Sequence, residues 1–289
     1  MTAPPLDFAG ATVVVTGAGR GLGRRYAVDL GAAGASVVVN ARNPDAADAV
    51  VAEIRDAGGT AAPAVCDARD GAGMVEIALA EFGRVDSLVV NAGIVRDTSF
   101  RKMTDEVWDE IIDLHLNGSR RCAAAVWPHM LAQGSGSIVL TTSGAGLHGN
   151  FGQANYSAAK GGVVSLAKTL AFEGAKSGVR VNAVAPMGLT DMTGSMFEGP
   201  LLELTPERLS PFVLALAHES CPLSGQVLET GGGWGALVRW ERSRGVRLHG
   251  DFGPGDVAVR WKEIGDFTEG SDHPTTIFDA LGAACDPDR

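Results

Sequence analysis

The chain has 289 residues, 45% of them hydrophobic and 20% charged, with a formal net charge of −10. This length accommodates one large α/β domain with a substantial core. The acidic balance argues against a nucleic-acid partner, because phosphate binding needs a basic face, and no stretch approaches the roughly 20 apolar residues of a membrane span.

Short apolar runs, each bounded by Gly, Asp or Asn, predict strands that are covered on both faces. Amphipathic segments separate them, and this alternation predicts a Rossmann-type, doubly wound parallel α/β sheet of about seven strands. The alternation stops near residue 236, so we expect a domain over residues 1–235 and a C-terminal helical extension over 236–289 packed on it. The predicted strands are 12–16, 36–40, 63–66, 87–90, 137–141, 179–184 and 226–229.

The termini and the cysteines bear on the compartment. The N-terminus lacks the basic and apolar regions of a signal peptide, and the final residues ACDPDR are not a peroxisomal signal. Widely spaced cysteines without a CxxC pair or a nearby His pair predict free thiols and no metal site. We therefore expect a cytoplasmic protein. The cysteines are Cys66, Cys122, Cys221 and Cys285.

The first predicted strand leads directly into a glycine-rich turn, TGAGRGLGR at residues 16–24. Glycines allow a tight turn, and the N-terminus of the following helix offers unpaired N–H groups to a diphosphate. Leu22 stands where the commoner G-x-G-x-x-G/A fingerprint has Gly or Ala. We interpret this turn as a nucleotide-binding loop. Its candidate contacts are Thr16, Gly17, Arg20, Gly21, Leu22 and Gly23.

The end of the second strand reads NARN at residues 40–43. An acidic residue here binds the ribose 2′-OH of NAD, whereas an arginine accommodates the 2′-phosphate of NADP. Ala41 stands where the acid would lie, Arg42 follows it, and Arg20 offers a second guanidinium. The pattern favours NADP, with NAD as the alternative, and both arginines could instead be solvated surface charges.

Tyr156, one of only two tyrosines, precedes Lys160 by four residues. On a helix the two side chains share one face, and an ammonium near the phenol would lower its pKa toward neutrality. The alternative is a helix-surface pair without chemistry. The segment NAG at 91–93 follows the fourth predicted strand, and Ser143 precedes Tyr156 by thirteen residues.

With TGxxxGxG, NAG, this serine and YxxxK in order, the chain resembles the short-chain dehydrogenase/reductase family over residues 8–235. The resemblance implies an NAD(P)-dependent enzyme acting on CH–OH groups, usually a homodimer or homotetramer. It implies that Tyr156 exchanges a proton with the substrate oxygen and that Ser143 hydrogen-bonds that oxygen. Lys160 would bind the nicotinamide ribose, and Asn117 would hold a water beside it. Further implied cofactor contacts, besides Tyr156 and Lys160, are Asp67, Ala68, Asn91, Ala92, Gly93, Pro186 and Thr190.

The segments NFGQANYSAAK and GGGWGALVRWERSRGV are similar to the dehydrogenase unit of the peroxisomal multifunctional enzyme of β-oxidation. This resemblance implies an acyl-CoA thioester substrate, oxidised or reduced at its C3 oxygen. That branch commonly carries VVVND after the second strand and uses NAD, so Ala41 departs from it. The alternatives are an oxidoreductase of steroids or other secondary alcohols, and a non-catalytic nucleotide-binding scaffold or redox sensor. Arginines within 239–247 would either contact coenzyme A phosphates or form salt bridges.

Overall fold

The computed structural model describes residues 5–188, 204–268 and 270–279. The chain forms two compact units, Met1–Leu237 and Val238–Arg289. This division lies close to the boundary predicted at residue 235, and the packing of the extension on the first domain remains a prediction. Within the described ranges, no helix is long and apolar enough to cross a membrane.

The described strands pair into one sheet of eight strands. These are β1 (Thr12–Val15), β2 (Ser36–Ala41), β3 (Thr60–Val65), β4 (Ser87–Val90), β5 (Gly136–Thr141), β6 (Val179–Pro186), β7 (Val227–Gly231) and β8 (Trp234–Val238). The strand order is β3-β2-β1-β4-β5-β6-β7-β8, and the pairs from β3 through β7 are parallel. The order reverses between β1 and β4, which confirms the predicted doubly wound sheet. Ligands of such sheets bind beyond the carboxyl ends of the strands at this reversal.

Helices connect the parallel strands, and local signals set their ends. Asn43 caps one of them by accepting hydrogen bonds from two backbone N–H groups, with Pro44 as the first helical residue. The same helix buries Ala47, Val50 and Ile54, the spacing expected of an amphipathic helix on a sheet. The described helices of this unit are α1 (Gly21–Ala32), α2 (Pro44–Asp56), α3 (Gly71–Phe82), α4 (Asp105–Ile112), α5 (Gly118–Gln133), α6 (Gly144–His148), α7 (Ala154–Gly174) and α8 (Pro206–Ala217).

A π-helical turn, Asp113–Asn117, joins α4 to α5 without a loop. Hydrogen bonds in such a turn span one residue more than in an α-helix, and π turns are frequent at functional sites. The turn rotates the faces of the residues that follow it, so spacing in the sequence does not show which side chains point inward.

The eighth strand was not predicted. Gly232 and Gly233 connect β7 to β8 with φ angles of 60° and 86°, backbone that suits a two-residue hairpin. The β8 sequence WGALV is short and none of its residues is buried, as expected of an edge strand. Its residues are mostly apolar but not buried, so it lacks the two-sided burial that marks the central strands.

The second unit contains the two short helices α9 (Pro254–Ala258) and α10 (Trp261–Ile264), and most of its described residues form loops. Arg242 and Asp272 join two of these loops through an antiparallel bridge. The guanidinium donates from Nε to Asp272 Oδ1 at 2.9 Å and from NH2 to Oδ2 at 2.8 Å. For Arg242, this pair favours the salt-bridge alternative over a contact with coenzyme A. With two short helices and mostly loops, the described part of the second unit contains less helix than the predicted helical extension.

Candidate active site

The glycine-rich loop leads from β1 into α1 and is built around close backbone contacts. Gly17 and Gly21 have φ angles of 64° and 57°, which side chains disfavour. A Cβ on Gly23 would lie 2.3 Å from the Gly17 carbonyl oxygen, so only glycine fits there. The first turn of α1 holds no acidic residue, and the side chain of Arg20 does not cap it. The backbone N–H groups of this first turn therefore fit the diphosphate of a dinucleotide.

The NAG segment lies directly against this loop. The Thr16 hydroxyl accepts hydrogen bonds from the backbone N–H groups of Asn91 and Ala92, both at 3.0 Å. The Asn91 amide donates back to the Thr16 carbonyl at 3.2 Å. A Cβ on Gly17 would lie 2.8 Å from the Ala92 Cα. The glycine-rich turn after β1 and the NAG segment after β4, both predicted to contact the cofactor, therefore pack against each other.

Asn40 is a structural residue of the loop that the sequence did not reveal. It is buried at the end of β2, and its Oδ1 accepts from the Gly17 N–H at 3.1 Å. Its Nδ2 donates to the carbonyls of Ala64 and Cys66, both at 3.1 Å. One side chain therefore ties the glycine loop to β2 and β3. An asparagine within the apolar run SVVVN was the available signal.

The predicted adenine contact, Asp67, is already engaged by a neighbouring arginine. Arg69 donates from Nε and NH2 to the two Asp67 carboxylate oxygens, at 2.7 and 2.9 Å. These hydrogen bonds are the main reason that the pKa of Asp67 is lowered to about 2, and Arg42 adds to the effect. The carbonyl of the neighbouring Ala68 accepts from the Cys122 thiol at 3.1 Å.

The end of β5 and helix α7 bring together three of the predicted catalytic residues. Lys160 donates from Nζ to the Thr141 carbonyl at 2.6 Å, and the Thr142 hydroxyl donates to the Lys160 carbonyl at 2.7 Å. Ser143 caps α6 by accepting from the Ala145 N–H at 3.2 Å. The Ser143 hydroxyl is also near enough to the Tyr156 phenol to favour its ionised form and so to lower its pKa. Ser143, Tyr156 and Lys160 therefore line one site beyond the strand end.

Burial controls the charges of this group. It raises the pKa of Tyr156, opposed by the nearby Ser143 hydroxyl, and it lowers the pKa of Lys160 to about 7. The Lys160 Nζ lies 5.7 Å from the centroid of the Tyr156 ring. The expected lowering of the phenol pKa by Lys160 is not seen, because burial has the largest effect on Tyr156 and the Lys160 Nζ is bonded to the Thr141 carbonyl.

The fourth predicted catalytic residue, Asn117, lies at the end of the π turn. Its amide donates to Asp113 Oδ1 at 3.4 Å, and no hydrogen bond in the described part of the chain joins it to Tyr156 or Lys160. Its catalytic role remains a prediction. The ring of His115, two residues earlier, instead meets Tyr156 edge-on, with centroids 5.0 Å apart and planes at 89°. No local pattern in the sequence singles out His115, because the π turn changes which faces of the helix point inward.

Two predicted cofactor contacts follow β6. Pro186 ends that strand opposite Thr230, and the next N–H, from Met187, donates to the Thr230 carbonyl at 2.7 Å. Thr190 lies outside the described residues. Both assignments remain predictions. Among the residues that are described, no three His, Cys, Asp or Glu side chains are placed to hold a metal ion.

The family model of the short chain dehydrogenases matches residues 11–200. The chain belongs to this family. Mouse peroxisomal multifunctional enzyme type 2 is 44% identical over 293 residues, which cover 97% of this chain and 40% of that protein. The solved full-length enzyme of that name from Drosophila melanogaster has a TM-score of 0.85 at 38% identity, covering 96% of this chain and 49% of that one. A short chain dehydrogenase from Mycobacterium avium has a TM-score of 0.80 at 35% identity, covering 89% and 94%.

The short-chain dehydrogenase fold binds NAD or NADP, and the glycine loop described above fits either diphosphate. The chain spans between 40% and 49% of the two multifunctional relatives. Both are named peroxisomal enzymes, which contradicts the expectation of a cytoplasmic location. That expectation relied on the ends of the sequence, and an address in another part of a longer polypeptide would not appear there.

A glycine in α6 tests how closely this helix must approach α7. A Cβ on Gly146 would lie 2.7 Å from the Cβ and carbonyl carbon of Lys160, whereas a Cβ on Gly144 meets nothing closer than 3.9 Å. Gly146→Ala should therefore lower the free energy of unfolding by about 1–3 kcal/mol, the usual effect of overpacking. Gly144→Ala, the matched control, should change it by less than about 0.5 kcal/mol. Urea unfolding measures the free energy of unfolding of both variants. Equal losses would show that the close approach of α6 to α7 does not determine the stability.

Proposed function

We propose that this chain is an NAD(P)-dependent oxidoreductase that transfers a hydride between nicotinamide and C3 of a 3-hydroxyacyl or 3-oxoacyl thioester. The observation that carries the proposal is the extent of the similarity. The match with the mouse multifunctional enzyme covers 97% of the chain, well past residue 200, where the family model ends. The likeness thus includes the second unit, which holds the end of GGGWGALVRWERSRGV, one of the two segments that carry the acyl-CoA resemblance.

The bound cofactor supplies or accepts the hydride, and the side chains of this chain handle the proton. Tyr156 is protonated near neutral pH because burial raises its pKa, so it can donate a proton to an oxygen that gains charge. The Ala145 N–H occupies one lone pair of the Ser143 oxygen, which orients the hydroxyl toward the site. Lys160, with a pKa of about 7, exists in both protonation states at neutral pH and can restore the proton of the phenol.

Replacing the proton donor tests the proposal directly. Tyr156→Phe should reduce turnover of acetoacetyl-CoA by about 10²–10⁴-fold, the usual contribution of a general acid, with cofactor affinity nearly unchanged. Tyr26→Phe, at the other tyrosine, buried in α1, should keep full turnover once folded. Turnover is followed by nicotinamide absorbance.

Retention of more than about a tenth of the rate in Tyr156→Phe would exclude Tyr156 as the proton donor, because a loss below about tenfold is smaller than a general acid usually contributes. Turnover of steroids or simple secondary alcohols, without turnover of the thioester, would contradict the proposal that the substrate is a thioester. Cofactor binding without turnover of any carbonyl compound would favour the scaffold.

For the cofactor we propose NADP, with NAD as the alternative. Residue 41 lies directly beneath the glycine loop, since a Cβ on Gly19 would come within 2.9 Å of the Ala41 Cβ. An acidic side chain there would repel a 2′-phosphate, and alanine does not. Arg42 is exposed next to this position, and its charge acts on Asp67. These features support a phosphate beside the adenine ribose.

Changes at these three positions should shift the cofactor preference in opposite directions. Arg20→Ala with Arg42→Ala should raise KM for NADPH much more than for NADH, because each charge-assisted hydrogen bond contributes about 1.5–3 kcal/mol. Ala41→Asp should favour NADH without removing either arginine. The ratio of kcat/KM for the two cofactors reports the outcome. A wild-type preference for NADH, or equal weakening of both cofactors in the double variant, would contradict the proposal.

A further inference from the structure

We propose that His115 is a positioning residue that holds the ring of Tyr156 in place beside the NAG segment. The inference rests on the proposed function of Tyr156 as the proton donor. A donor must be held within a fraction of an ångström of its acceptor, and a misplacement of about 1 Å can cost 10²-fold in rate. The phenol ring therefore needs a rigid neighbour, and His115 has the contacts to be one.

The contact between the two rings is direct and specific. Their centroids lie 5.0 Å apart with the planes at 89°, the edge-to-face geometry that aromatic pairs prefer. The Lys160 Nζ lies 5.7 Å from the centroid of the same phenol ring. His115 is 1% exposed, so water does not compete for the contact. The ring of Tyr156 is therefore bounded by one aromatic edge and one amine.

His115 is itself fixed to the segment that follows the NAG motif. Its Nε2 lies 2.7 Å from the Ile94 carbonyl oxygen. A Cβ on Gly93 would lie 2.6 Å from the imidazole Cε1, so the ring rests on the glycine backbone. The Ser119 hydroxyl, in α5, donates to the His115 carbonyl of the π turn at 2.5 Å. One side chain thus links the NAG segment, the π turn and the phenol ring.

His115 acts through contact and not through proton transfer. Nε2 lies 2.7 Å from the Ile94 carbonyl oxygen and 3.3 Å from the Ile94 backbone nitrogen, and the shorter contact favours the proton on Nε2, which leaves Nδ1 as an acceptor. That Nδ1 is buried without a hydrogen-bond partner among the described residues. Burial and the nearby Lys160 lower the pKa of His115 to about 3, so the ring stays neutral at working pH. It cannot serve as the acid or the base.

A second buried histidine provides a matched control. His218 meets Phe8 edge-on, with centroids 4.8 Å apart and planes at 77°, and its Nε2 lies 2.9 Å from the Asp7 carbonyl oxygen. It has the same two kinds of contact as His115 but does not contact Tyr156 or Lys160 in the described structure. Replacing either histidine should lower Tm, and only the His115 variants should alter the phenol.

The test compares His115→Gln, which keeps a donor for Ile94 but loses the ring, with His115→Phe, which keeps the ring. His218→Gln and His218→Phe are the controls, and His115→Asn replaces the Gln variant if that one does not fold. Two measurements are made on each full-length variant. One is the alkaline absorbance titration of the Tyr156 phenol, with Tyr156→Phe as the blank, which needs no substrate. The other is kcat with acetoacetyl-CoA, beside the Kd of the cofactor.

We expect His115→Gln to lower the Tyr156 pKa by about half a unit or more, because water reaches the phenol. Its kcat should fall at least about tenfold with cofactor Kd changed less than about threefold. His115→Phe should stay within about fivefold of wild-type kcat. An unchanged titration in His115→Gln, no advantage of Phe over Gln, or an equal loss of kcat in the His218 variants would overturn the inference. If the wild type does not turn over the thioester, the proposed function fails and the titration alone decides the role of His115.

Discussion

The buried ammonium of Lys160 is the group on which the site depends. Its Nζ donates to the carbonyl of Thr141 at 2.6 Å, at the last residue of β5. The next residue, Thr142, donates back to the Lys160 carbonyl at 2.7 Å. Because Tyr156 lies one helical turn before Lys160, these two bonds also set the distance of the phenol from the strand end. Ser143 follows Thr142 directly, which is why it reaches the phenol.

Burial has opposite effects on the two ionisable partners. It disfavours the charged form of each, so it lowers the pKa of the lysine and raises that of the tyrosine. At neutral pH the phenol therefore carries its proton, while the amine, with a pKa of about 7, titrates close to neutrality. A phenol that carries its proton, together with an amine that titrates near 7, is better suited to repeated proton donation than a permanently ionised phenol would be. Burial is the largest cause of both shifts, whereas the spacing alone suggests that attraction between the two groups would decide them.

The sequence predicts most of the sheet and singles out Ser143, Tyr156 and Lys160, which the structure brings together, but it fails where contacts depend on tertiary structure. Apolar runs between glycines reveal the central strands, because strands covered on both faces have little choice of residue. The half-exposed β8 lacks that constraint. The hydrogen bonds of Asn40 join three separate segments, which no local pattern records. At the π turn, one extra residue rotates the following faces by about 100°, and the structure places His115 against the phenol, whereas the family resemblance implies Asn117.

The most direct test of this account is the titration of Lys160 itself in the protein without cofactor. Isotope-labelled lysine side chains can be followed by NMR across the pH range, and the spectrum of Lys160→Met identifies the signal. The account predicts a midpoint near 7, well below the ordinary lysine value of 10.5, because the amine is buried against the strand end. A midpoint near 10.5 would show that the ammonium is solvated, and would contradict the arrangement from which the roles of Tyr156 and Ser143 follow.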